Sequence, residues 1–194
     1  LKVSGTPSPR EYAIASLVLE RAHQLAPQDE VILRNLIEAC ENAGDADRVA
    51  RFTRDLVALN PADTVAQLRL ISAKIRETQN ADDRLAAYDR WLGPDAASVD
   101  PSVRSRLAVD AALLAREKGD MAGFAKRLGI ALELDSTNKD AATLALAFYT
   151  QRVGEPAGQF EMMLAVLKAD PLDVDLHLSI SRHLASHGAY AGAK

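Results

Sequence analysis

Prolines at a fixed interval constrain this chain more than any other feature. Pro27 and Pro61 lie 34 residues apart, each closing an apolar-periodic stretch, and Pro171 lies 35 residues after Ser136, which stands where the other copies have proline. Pro61 and Ser136 are 75 residues apart, two periods and about seven residues more; the loop 93–101 (GPDAASVDP) accounts for the surplus. A period of this size marks a unit that cannot bury its apolar face alone and must stack on its neighbours. The expected fold is therefore an array rather than a single closed core.

Each period holds two helical patterns. Ser8-Pro9 reads as an N-cap with proline in the first turn, and over 11–25 the residues Ala15, Val18, Leu19, Ala22 and Leu25 recur at helical spacing, predicting one buried face. Further helices are expected over 30–43, 46–59, 64–78, 82–92, 102–118, 122–134, 141–153, 159–169 and 173–187. Gly44, Gly119, Gly154 and Gly188 punctuate the turns, whereas the break at Gln79-Asn80 has no glycine. Residues 1–8 read as a flexible N-terminal tail and 9–194 as one repeat domain of about five helix pairs, with 93–101 an irregular insertion rather than a boundary.

Composition excludes several classes. A net charge of −4 with scattered Lys and Arg gives no basic surface for nucleic acid. Cys40 is the one cysteine, so neither an intrachain disulfide nor a cysteine metal cluster can form; it is expected as a buried small apolar residue. No apolar run reaches the length of a membrane span. Aromatic residues are only 5% while alanine is abundant, which suits helices packed through small side chains.

These features resemble the tetratricopeptide repeat, a 34-residue helix pair. The turn glycines named above match, as do the closing prolines Pro27, Pro61 and Pro171, the second-helix alanines Ala15, Ala22 and Ala131, and the small first-helix residues Ala112 and Ala147. Val49 and Leu56 depart from that pattern, and the large first-helix aromatics of the family are mostly missing. The resemblance implies an all-α, right-handed α-solenoid of antiparallel helix pairs. The first helix has second-helix features with no first helix before it, and HGAYAGAK begins a second helix and stops. The expectation is a piece of a longer array.

The resemblance also implies a concave groove lined by first-helix positions. Carried over, these are Arg34, Glu38 and Glu41, then Leu68 and Ser72, Val109, Leu113 and Arg116, Leu144, Phe148 and Arg152, and finally Leu178 and Arg182. The middle would be apolar with arginines beside it, suited to an extended or helical peptide. A one-residue shift would instead put Leu144 and Phe148 in the core.

Other constellations are weaker. His183 and His187 share a helix face, but no third ligand or HExxH glutamate accompanies them. Ser136 and Lys139 match the bare Ser-x-x-Lys spacing of some acyl-transfer enzymes, yet they sit in a turn. No catalytic set, cofactor or metal is expected. The expected function is a noncatalytic protein-interaction or assembly scaffold with a protein or peptide partner. The alternatives are a regulatory or substrate-presenting arm of a larger enzyme and a homo-oligomerisation module.

Overall fold

A computed structural model describes residues 7–151 and 156–188, and among these the chain forms ten α-helices, one 3-10 turn and no strand. The helices are α1 (Pro9–Leu25), α2 (Glu30–Ala43), α3 (Ala46–Leu59), α4 (Thr64–Arg76), α5 (Ala81–Leu92), α6 (Pro101–Glu117), α7 (Met121–Leu134), α8 (Lys139–Thr150), α9 (Pro156–Ala169) and α10 (Val174–Ser186). Contacts divide the chain into two compact units, residues 1–77 and 78–194. The division falls at the break without glycine, not in the loop 93–101.

Two alternating turns generate the helix pairs. Between α2 and α3, Gly44 takes φ 78°, and between α6 and α7, Gly119 takes φ 81°. The amide of the following aspartate reaches back to close the turn, Asp45 to the carbonyl of Cys40 (3.0 Å) and Asp120 to that of Ala115 (2.9 Å). The same aspartates then cap α3 and α7, accepting from the amides of Arg48 (3.1 Å) and Gly123 (2.8 Å). Gly154 lies outside the described residues. Where glycine is missing, α4 stops at Arg76, two residues short of the expected end, and the Arg84 guanidinium holds the carbonyl of Thr78 (2.9 and 3.1 Å).

The turns leading from a second helix to the next first helix share a different device. Asp29, Asp63, Asn138 and Asp173 each donate their amide to the carbonyl three residues back, at 3.1–3.3 Å. Each also caps the helix that follows with its side chain. In the loop 93–101, Pro94–Ala96 forms the 3-10 turn and Ala96 is buried. Arg104 gathers the last carbonyls of α5, those of Trp91 (3.3 Å), Leu92 (2.8 Å) and Gly93 (3.1 Å). The insertion is thus tied down by one guanidinium.

Each core joins three consecutive helices. In the first unit Leu33, Leu36, Ile37 and Cys40 of α2 bury against Phe52 and Leu56 of α3 and Ala66 of α4. Burial raises the Cys40 thiol above its usual range, so it behaves as a small apolar side chain. In the second unit the positions at the same distances before the turn glycine are Ala108, Ala111, Ala112 and Ala115, all fully buried. The room they leave goes to Phe124 and Leu128 of α7 and Phe148 of α8. A further core joins Ala142 of α8, Val166 of α9 and Leu176 of α10.

Helix α1 departs from expectation. Ala15, Val18 and Leu25 were expected to be buried, but Val18 is 67% and Leu25 73% exposed, Ala15 is exposed, and Leu19 and Ala22 are half-buried. Helix α1 packs mainly against α2, with Leu19 against the first core and Ser16 fully buried, and it reaches α3 through charges. Arg48 donates to the Ser16 hydroxyl (2.7 Å) and pairs with Glu20 (2.6 Å), and Arg51 pairs with the other Glu20 oxygen (2.7 Å). His23 adds an edge contact to the Phe52 ring, centroids 6.1 Å apart.

Two glycines test this account from opposite sides. Gly119→Ala meets no neighbouring atom but must hold a left-handed φ, and should cost about 1 kcal/mol. Gly129 lies within α7, also in open space, and Gly129→Ala should stabilise by about 0.5–1 kcal/mol. Urea unfolding of the two variants checks both signs.

Candidate functional site

A concavity within one unit lies across α2, α3 and α4. A pocket of about 370 Å³ is floored by Ile37, Leu56 and Ala66 and rimmed by Arg34, Glu38, Glu41 and Arg69. A second pocket of about 660 Å³ adjoins it, sharing Glu41, Thr53 and Arg69 and adding Val49, Leu70 and Ala73. Thr53 lines both, is almost fully buried, and its hydroxyl has no hydrogen-bond partner among the described residues.

The rim is held rigid by a charge network. Arg34 pairs with Glu30 one helical turn earlier (2.9 Å) and with Asp63, the cap of α4 (2.5 Å). Glu30 also accepts from the Asn60 amide (3.2 Å), so α2, the turn and α4 are joined by side chains. Glu41 pairs with Arg69 (3.2 Å), a second bridge between α2 and α4. Glu38 forms no ion pair among the described residues and presents its carboxylate to solvent.

Protonation follows from these contacts. The Asn60 amide, then Arg34, holds the Glu30 carboxyl below its usual range. For Asp63, burial pushes the carboxyl up, but bonds from the Ala66 amide and Arg34 outweigh it and the net direction is down. Arg34 is held further in its charged form, first by Glu30.

Of the expected groove residues, Arg34, Glu38 and Glu41 are brought together here. On α4, Val65 and Arg69 line the pocket in place of Leu68 and Ser72, which are half-buried. In the second unit, Val109 and Phe148 lie in the core, each 8% exposed, and Leu113 and Leu144 pack against it. The apolar middle of the expected groove is therefore core. For α8 the cause is a slipped register. The cap at Asn138 starts the helix early, so Ala141, Ala142, Ala145 and Phe148 form its buried stripe, and Thr143 and Ala147 face out. Val109 occupies the place that Arg34 has before its turn glycine, but a valine there packs inward. Arg116 is exposed and lies over the Phe124 ring at 5.4 Å, Leu178 and Arg182 are exposed on α10, and Arg152 lies outside the described residues. Val65 and Arg69 were missed, although the expected start of α4 at Thr64 is the observed one.

The other constellations do not assemble. The rings of His183 and His187 stack at 4.5 Å, while His187 Nδ1 lies 2.8 Å from the His183 carbonyl. No group of three metal-ligating side chains occurs among the described residues. Lys139 pairs with Asp170 at 2.6 Å, away from any role beside Ser136. No described helix is long and apolar enough to cross a membrane.

Protonating Asp63 should weaken the α2–α4 bridge. Its folded value is depressed, so its contribution is present above the unfolded value of about 3.9 and lost as pH falls through the lower folded value. Thermal unfolding between about pH 5 and 2 should show this loss, and Asp63→Ala should remove it at a cost of about 1–2 kcal/mol at neutral pH.

No family model matches the chain. No curated protein matches it. Solved structures do resemble it. BtubC (BKLC) from P. vanneervenii is similar at 15% identity and a TM-score of 0.51, over 97% of this chain and 87% of that one. TTC0263, a thermophilic TPR protein in Thermus thermophilus, is similar at 22% identity and a TM-score of 0.42, over 90% and 91%. PilW, a type IV pilus biogenesis factor, is similar at 14% identity and a TM-score of 0.47, over 95% and 82%. At such identities the likeness concerns the fold alone. With the 34-residue spacing, the fold is that of an all-α, tetratricopeptide-like array of paired helices.

Proposed function

We propose that the chain is a noncatalytic protein-interaction scaffold that holds a peptide or protein partner on the α2–α3–α4 face of residues 1–77. The observation that carries this reading is the paired pocket, an apolar floor under a fixed charged rim. An apolar floor supplies burial, and placed charges supply orientation and selectivity. Arg34 and Arg69 are already neutralised within the protein, so Glu38 is the rim charge left to a partner. A segment with one apolar anchor and a nearby Lys or Arg fits this surface. Arg34 acts as a brace that keeps α2 and α4 in register beneath it.

The test is recovery of partners from a lysate of the source cells with the immobilised chain. Glu38→Lys combined with Arg69→Glu should weaken capture of at least one specific partner by roughly ten-fold, about 1.4 kcal/mol. Arg182→Glu, on α10, should leave that capture unchanged. Equal recovery of every partner by all three proteins rejects the reading.

A further inference from the structure

The two pockets on the α2–α3–α4 face form one channel with two lobes. Glu41, Thr53 and Arg69 line both, and the Glu41–Arg69 pair (3.2 Å) stands at their junction. Helices α2 and α4 run in the same direction along it: Arg34 meets Asp63, and further along each helix Glu41 meets Arg69. On α4 the first lobe is lined by Val65 and Ala66, the second by Leu70, Ala73 and Glu77. Seven residues of helix put Ala73 about 10 Å beyond Ala66, and that distance separates the lobes.

The charges that line the channel do not cancel. Arg34 is engaged by Glu30 and Asp63, and Arg69 by Glu41. Asp45 caps α3 and lies 3.9 Å from Arg48. Glu38 beside the first lobe, with Asp47 and Glu77 beside the second, is exposed, and none of the three forms an ion pair among the described residues. Of the lining cations only Arg76 is likewise unpaired among the described residues, its Nε donating to the Ser72 carbonyl (3.2 Å). Open carboxylates thus outnumber open guanidinium groups around both apolar floors, and the channel favours a cationic ligand.

Granted the docking face proposed above, we infer that its occupant is a basic amphipathic helix of a partner protein. Two apolar side chains seven positions apart enter the two lobes, because two helical turns span about 10 Å and return to the same face. An extended segment covers that distance in about three residues, which turns the two side chains to opposite sides. Lys or Arg between the anchors crosses the Glu41–Arg69 pair and meets Glu38; those beyond the second anchor meet Asp47 and Glu77. Charge sets the sign of the partner, and the two lobes set its register.

A displayed library of random peptides of about 16 residues, some 24 Å long as helices, panned against the whole chain tests both parts. Enriched sequences should carry net positive charge and apolar residues at positions i and i+7. Synthesised and labelled, they should bind saturably by anisotropy and gain helical circular dichroism when bound. Glu38→Gln and Glu77→Gln should each weaken binding about two- to five-fold at low salt and little at high salt. Val65→Glu, which charges the first lobe, and Ala73→Phe, which fills the second, should each weaken it about ten-fold or more. Val65 is 66% exposed and Glu38 and Glu77 are exposed, so those three variants should keep the parent fold; Leu172→Glu, 88% exposed in the other unit, should bind as the parent does. Acidic or uncharged peptides that remain sensitive to Val65→Glu and Ala73→Phe overturn the basic helix and leave the docking face standing. So do basic peptides that bind without helix, without the spacing, or equally well when scrambled. Enriched peptides indifferent to both lobe variants, or no enrichment over the unselected library, overturn the docking face and the basic helix together.

Discussion

A side-chain oxygen at the start of each first helix carries much of the architecture. Asp29, Asp63, Asn138 and Asp173 close a four-residue turn with the backbone and cap the next helix with the side chain. Two of them also reach sideways to the preceding first helix. Asp63 pairs with Arg34, and Asn138 donates to the Ser105 hydroxyl at 2.8 Å, which itself bonds the Ala131 carbonyl at 2.7 Å. One small polar residue thus fixes where a helix begins and how it lies against the previous pair. In an array stabilised by neighbour contacts, such junctions set the register of everything between them.

The legible part of the sequence was what glycine, proline and periodicity report. The bounds of α2 and α3 follow from Gly44 and Pro61, and the pair spacing from the prolines. Less legible was which face each stripe meets. Periodicity says that Ala15, Val18 and Leu25 share a side of α1, but not that any helix covers it. On α8 the error was one of anchoring. Carrying positions over from the family put Leu144 and Phe148 in the groove, whereas the cap at Asn138 fixes the phase and turns Phe148 into the core. The polar caps were visible in the sequence, four residues after α1, α3, α7 and α9, and carried more register information than the apolar residues did.

The candidate site shows the same division. Arg34, Glu38 and Glu41 could be read from one helix because they are spaced on one face of α2. Their partners on α4 could not, because the bridges to Asp63 and Arg69 depend on how two helices stand side by side. The loop 93–101 has its anchor, Arg104, inside α6, with no signature in the loop's own residues.

The exchange of Leu33, Leu36, Ile37 and Cys40 in α2 for four alanines at the matching places in α6 has a consequence for interchangeability. The two helices fill the same role with side chains of very different volume, and their neighbours have adjusted. Grafting α6 in place of α2 would leave a void beside Phe52, and the reverse graft would crowd Phe124 and Phe148. The copies share a plan but no longer share spare parts: each helix is tailored to its own neighbours, and divergence has to proceed by matched sets.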